Sequence, residues 1–183
     1  MIRLFVGLEL PQNIKDQLHS LRGGLIGAKW RSPEKMHLTL RFIGEVEDPE
    51  ADEIIRELRY VRFPAFHMAL KQVGYFAHGM TPHHLWAGVD NDKALCELQE
   101  KVARALEQTG LHIADKFKFM PHVTLARLNM TTLDDVYTFI TQNNLFKTEP
   151  FLVDSFSLFS SHVRENGEGK FHRVEERFPL SLV

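Results

Sequence analysis

The 183-residue sequence predicts a compact α+β domain built as two lobes related by a pseudo-twofold axis, with a cleft between them. Three observations lead there. Short apolar strands alternate with amphipathic helices, one strand–helix–strand unit occurs twice, and each copy ends in the same His-apolar-Thr-apolar pattern. The length suits one well-filled domain of about 150 residues, or two lobes that share a core, and is too short for two independent enzymes.

Taken in order, Ile2 to Glu9 reads as a buried strand. Pro11 then opens a helix in which Ile14, Leu18 and Leu21 recur at helical spacing before Gly23-Gly24 stops it. Met36 to Val46 is the next strand, followed by a helix from about Pro49 to Tyr60 with Ile54, Ile55 and Leu58 inward. Phe66 to Phe76 and His83 to Asp90 are extended, and Asn91 to Thr109 form a helix that buries Leu95, Leu98, Val102 and Leu106 and ends at Gly110. The duplication is visible in the residues: Leu4-Phe5-Val6-Gly7-Leu8-Glu9 aligns with Leu85-Trp86-Ala87-Gly88-Val89-Asp90. It divides the single two-lobed domain, residues 1–183, into repeats of approximately 1–80 and 81–183.

His37-Leu38-Thr39-Leu40 follows Gly7 by 30 residues, and His122-Val123-Thr124-Leu125 follows Gly88 by 34. In a strand the side-chain period is two, so each tetrad turns its apolar pair inward and presents an imidazole and a hydroxyl together on the other face. Taken singly, such a strand is an ordinary surface strand; the matched placement is what points to chemistry. Two imidazoles and two hydroxyls around one cleft suit in-line displacement at phosphorus, one histidine taking a proton from the nucleophile and the other protonating the departing oxygen. The hydroxyls would donate to the phosphoryl oxygens as charge builds there. No metal and no other cofactor is required.

Composition narrows the surroundings of that chemistry. The hydrophobic fraction of 44% and charged fraction of 25% are ordinary globular values and exclude disordered and fibrous classes. No apolar run reaches the ~18 residues of a membrane span, and Glu9 and Pro11 interrupt the apolar opening before it can act as a signal core. The one cysteine, Cys96, can close no intramolecular disulfide, so the expected setting is soluble, cytoplasmic and off the membrane. A net charge of −2, from 22 basic and 24 acidic residues, excludes a broad grip on a long polyanion and leaves nucleic acid to a small local site. The ten histidines are the unusual count.

Across nearly its whole length the chain resembles the two-histidine phosphoesterases, and within them the RNA 2′,3′-cyclic phosphodiesterases, also called 2′-5′ RNA ligases. The segments that carry the likeness are RLFVGLELP at Arg3 to Pro11, KW at Lys29-Trp30, HLTLRFIGEV at His37 to Val46, LWAGV at Leu85 to Val89, PHVTLARL at Pro121 to Leu128 and RFPL at Arg177 to Leu180. The resemblance implies antiparallel sheets flanking the cleft with helices outside, and hydrolysis of an RNA 2′,3′-cyclic phosphate to a 2′-phosphomonoester. It implies His37 as proton donor to the departing 3′-oxygen, His122 as proton acceptor from water, and Thr39 and Thr124 as phosphate ligands. The implied partner is an RNA 3′ end carrying the cyclic phosphate, tRNA fragments among the candidates, met by a monomer.

Three further positions are carried over. Arg127 matches a family arginine five residues after the second histidine, but that odd offset faces the cleft only across a bulge or at the strand end. Phe5 and Phe42 occupy places where family aromatics could stack on a terminal base. Where the family often has a tyrosine, this chain has Phe171. Lys116, Lys118 and Arg127 around the second tetrad, with Phe117 and Phe119 interleaved, read either as a small landing patch for phosphate and base or as a half-buried strand with solvated lysines. His78, His83 and His84 lack the spacing of a metal site, and His19, His67, His112, His162 and His172 share no spacing and read as surface or core residues. Other readings stay open: a nucleotide or RNA-end binding module without turnover, an enzyme for another cyclic nucleotide or for a 2′-5′ oligonucleotide, and reverse ligation.

Overall fold

The computed structural model describes residues 1–111, 113, 118–163 and 169–182. His112, Lys116 and Phe117 lie outside the described residues. In chain order the elements are β1 (Ile2–Glu9), α1 (Gln12–His19), β2 (Ala28–Trp30), a 3₁₀ turn (Pro33–Lys35), β3 (His37–Val46), α2 (Asp48–Leu58), β4 (Phe66–His78), β5 (Thr81–Asp90) and α3 (Lys93–Gln108). They continue with β6 (His122–Leu128), α4 (Leu133–Gln142), β7 (Phe151–Val153), β8 (Ser155–Val163) and β9 (Lys170–Pro179). The α+β class and the antiparallel pairing are as expected. α1 closes two residues before Leu21, the Ser20 hydroxyl donating to the Gln17 carbonyl at 2.6 Å at its end, and Leu21 reaches the core from the turn that follows.

The strands form one curled sheet in the order β7-β4-β5-β6-β3-β1-β8-β9, with β2 added alongside β6. Every pairing between these strands is antiparallel. The two halves of the sheet meet at a seam where β3 and β6 share the pair Leu38–Val123. The expected repeats near 1–80 and 81–183 follow the order of the motifs, but the sheet is shared out differently. β4 sits beside β5 in the second half, while β8 and β9 return from the C-terminal third to complete the first half against β1.

Leu38, Leu40, Val123 and Leu125 point into the core, where Ile14 and Leu18 of α1, Ile54 and Leu58 of α2 and Leu95, Leu98, Val102 and Leu106 of α3 meet them. α2 packs on α3, α3 on β3, and α4 on β4 and β5. The alternate residues of β3 and β6 are thereby left for the opposite, concave face of the sheet. Gly7 sets the spacing there: a Cβ on it would stand 2.7 Å from the Leu38 carbonyl oxygen of the neighbouring strand, so only glycine lets β1 and β3 close.

Candidate active site

The seam arranges the two tetrads. With Leu38 opposite Val123, extending the antiparallel register one residue either way puts His37 opposite Thr124 and Thr39 opposite His122. The two imidazoles therefore occupy one diagonal of a four-residue square and the two hydroxyls the other. Diagonal neighbours in such a ladder are about 7–8 Å apart, which leaves room for one phosphoryl group between the rings. All four side chains line a cavity of about 620 Å³ on the concave face.

Both rings are held alike. His37 Nδ1 lies 3.0 Å from the Lys35 carbonyl and His122 Nδ1 lies 2.7 Å from the Met120 carbonyl, in each case two residues upstream. A carbonyl only accepts, so each Nδ1 carries the hydrogen and each Nε2 is left for the cavity. An aromatic ring seats each imidazole: Phe5 lies 4.8 Å from His37 and Phe76 meets His122 edge-on at 4.9 Å. Neutral Nε2 is a base and protonated Nε2–H an acid, so the pair supplies both halves of a proton transfer. Burial, together with the charges of His172, Arg31 and His122, pushes the free His37 imidazole down to about 3, against the bond to Lys35. Burial also lowers His122, opposed by its bond to Met120.

Arg31, Lys35 and Lys170 line the same cavity and pair with no carboxylate among the described residues, whereas Arg3 is bound to Glu45 at 2.8 Å. A chain of net negative charge thus concentrates cations at one anion-sized place. Sequence reasoning missed Arg31, Lys35, Lys170, Ser161 and His172. Arg31 follows the Lys29-Trp30 pair directly, and its backbone N–H donates to the Leu125 carbonyl at 2.8 Å, tying it to the second tetrad. His172 is brought in by the β8–β9 register, which sets it opposite Ser161; its ring stands edge-on to His37 at 5.0 Å. No spacing in the sequence signals that placement.

The softer expectations divide. Phe5 is 2% exposed, with Phe159 stacked on it at 4.9 Å and His37 and His172 against it, so it has no face for a base and forms the floor under His37. Phe42 is 68% exposed on the cavity wall. Arg127 sits beyond a bulge: Trp86 opposes Thr124 and Leu85 opposes Ala126, so Leu125 is the extra residue and Arg127 returns to the face of His122 and Thr124. β3 has the same bulge at Leu40, since Gly7 opposes Thr39 and Val6 opposes Arg41. Phe42 and Arg127 are thus counterparts in the two copies. Phe171 stacks on His162 at 5.2 Å, one residue out of phase with His172.

Outside the cavity, His78, His83 and His84 are neighbours, with ring centroids 4.8 and 4.9 Å apart along the series. No group of three or more His, Cys, Asp or Glu among the described residues is arranged to hold a metal ion. No described helix is long and apolar enough to cross a membrane.

The family model of the LigT-like phosphoesterases matches the chain twice, over residues 8–86 and 88–167, with one tetrad in each stretch. The chain belongs to this family. It is 33% identical over 172 residues to the RNA 2′,3′-cyclic phosphodiesterase of Thermotoga maritima, spanning 91% of this chain and 90% of that protein. It is 41% identical over 96 residues to the protein of the same name from Aeropyrum pernix, covering 52% of this chain and 54% of that one. Among solved structures, Escherichia coli LigT in its apo form superposes with a TM-score of 0.79 at 20% identity over 98% of both chains, a likeness of fold. A Thermus thermophilus protein follows at a TM-score of 0.75, with 25% identity over 97% of both.

Proposed function

We propose that the protein hydrolyses RNA 2′,3′-cyclic phosphate ends to 2′-phosphomonoesters, using His37 and His122 as acid and base without a metal. The observation that carries this reading is the diagonal placement of two imidazoles, each with Nδ1 tied to main chain and Nε2 left for one small cationic cavity. In the reaction, a water oxygen attacks phosphorus opposite O3′ while His122 Nε2 takes the water proton. The P–O3′ bond breaks, and His37 Nε2–H delivers its proton to O3′. Thr39 and Thr124 donate to the phosphoryl oxygens, and Arg31 and Lys35 offset the charge that builds on them. An RNA 5′-hydroxyl in place of water would give the 2′-5′ linkage by the same steps. The name shared by the Thermotoga and Aeropyrum relatives supports this choice of substrate.

His37 needs a proton to act as acid, and in the free site it is neutral at pH 7. The cyclic phosphate carries one negative charge, and its arrival beside the ring favours the imidazolium form. One observation favours the exchanged roles: in the free site His122 is lowered by burial alone, with a main-chain bond opposing it. One chain supplies both tetrads, so a monomer suffices, and the proposed setting is the cytoplasm. The test is to incubate the protein with a short RNA ending in a 2′,3′-cyclic phosphate and locate the product phosphate by NMR. A 2′-phosphomonoester is expected; a 3′-phosphomonoester, or no turnover by the folded protein, would overturn the reading.

A further inference from the structure

Chemistry-bearing side chains continue past the two tetrads. Beyond the Leu125 bulge, the strand registers align Lys29 of β2, Arg127 of β6, His84 of β5 and Phe76 of β4 as one row across the sheet, Lys29 and His84 each opposite Arg127 and Phe76 opposite His84. Lys29 and Arg127 are exposed, and neither pairs with a carboxylate among the described residues. His84 is half-buried; its Nδ1 lies 2.6 Å from His83 Nδ1, so the two nitrogens share one hydrogen and His84 Nε2 is the atom left for a ligand. When His83 supplies the acceptor, His84 Nδ1–H donates; when His83 donates, His84 Nε2–H is the donor that an anion selects. Burial and the positive charges of His83, Arg31, Arg127 and His122 hold His84 below its usual range, the surroundings in which an anion is welcome.

The row lies beside the cavity at a definite spacing. Thr124 opposes Trp86 and Arg127 opposes His84, so the two rows are two β5 residues apart, or roughly 7 Å. That is of the order of the separation between consecutive phosphates in an extended nucleic-acid strand. We propose that Lys29, Arg127 and His84 form a second anion subsite that takes the phosphodiester linking the terminal nucleotide to the one before it. This rests on the reading of the tetrads as the cyclic-phosphate site, and it makes an oligonucleotide end, rather than a cyclic mononucleotide, the substrate class. Phe76, opposite His84 in the register, meets the His122 ring edge-on at 4.9 Å and so stands between the two sites.

The test compares adenosine 2′,3′-cyclic phosphate with the dinucleotide ApA carrying the same cyclic end, and, for binding, 2′-AMP with ApA 2′-phosphate by calorimetry. The dinucleotides are expected to gain about tenfold in kcat/KM and in affinity, the effect of one charge-assisted contact. Their salt dependence is expected to steepen by about 0.7 in log affinity against log salt, from one more phosphate on a single strand. A dinucleotide with an uncharged methylphosphonate linkage should lose the gain, and so should Lys29→Gln combined with His84→Gln, checked for an unchanged melting temperature. Equal handling of mono- and dinucleotides, or a gain that survives either change, overturns the subsite while leaving the proposed reaction intact. Absence of turnover together with a tenfold, linkage-dependent gain in binding overturns the proposed reaction and leaves the subsite standing.

Discussion

The main-chain bonds from Lys35 and Met120 make His37 and His122 equivalent in tautomer, so only their surroundings can divide the work between them. Alanine at either position is expected to cost about 10²–10⁴-fold in turnover of cyclic-phosphate RNA. A substrate whose leaving oxygen has a much lower pKa separates them, because it needs little protonation. The deficit of His37→Ala should then shrink while that of His122→Ala persists; the reverse pattern exchanges the roles, and rescue of neither would falsify the division. The same imidazole affects stability. The unfolded His37 titrates near 6.5 and the folded one near 3, so between those values the unfolded chain binds a proton that the folded chain does not. Stability therefore falls as pH drops from about 6.5 towards 3. Urea denaturation at pH 7 and pH 5 should show a smaller loss for His37→Gln than for the parent chain. The two histidines and two threonines were legible in the sequence because each pattern is local. His172 was not, since its neighbour Ser161 is chosen by the pairing of β8 with β9.

Two bulges, at Leu40 and Leu125, decide what stands next to the tetrads. Without them, strict alternation would bury Phe42 and Arg127 among the leucines; with them, an exposed ring and an exposed guanidinium join the concave face. The sequence stated the need for a bulge at Arg127 but could not locate it, because a bulge is a relation between two strands and its cause lies in the partner. Apart from the three-residue β2, strand and helix positions as far as β6 were legible from apolar periodicity, while the seam and the order of strands across the sheet depend on contacts between distant segments. Close approach is equally a property of the pair. Gly7→Ala places a methyl group against the Leu38 carbonyl, a backbone atom that cannot rotate away. The expected cost is about 1–3 kcal/mol, seen as a fall of roughly 2–4 °C in Tm for each kcal/mol, with a loss of activity because Leu38 lies between His37 and Thr39.

The molecule carries −2 overall and lines one cavity with Arg31, Lys35 and Lys170, so under the proposed function it should hold the last phosphates of an RNA end and be indifferent to the length beyond them. Log affinity against log salt is expected to have a slope of magnitude below about 3, and turnover to persist in EDTA because imidazoles supply both proton transfers. A steeper slope would reveal an extended basic surface; abolition by chelator with rescue by a divalent ion would require a different mechanism. The expectation of a small footprint rests on composition alone. What it could not convey is how the chain divides itself between the halves of the sheet. β4 to β7 form a continuous stretch from Phe66 to Val153, whereas the other half needs β1 and β3 from the beginning of the chain and β8 and β9 from its end. During synthesis at about 5–20 residues per second, the half that holds His122 can close while the ribosome is still adding the rest. The first strands, although made earliest, wait for the second partner of β1, and Phe5 for the Phe159 ring that stacks on it, until Ser155 to Val163 emerge. His37 is among the first residues of the site to be made, and its surroundings, with Phe159 and His172, are among the last to form.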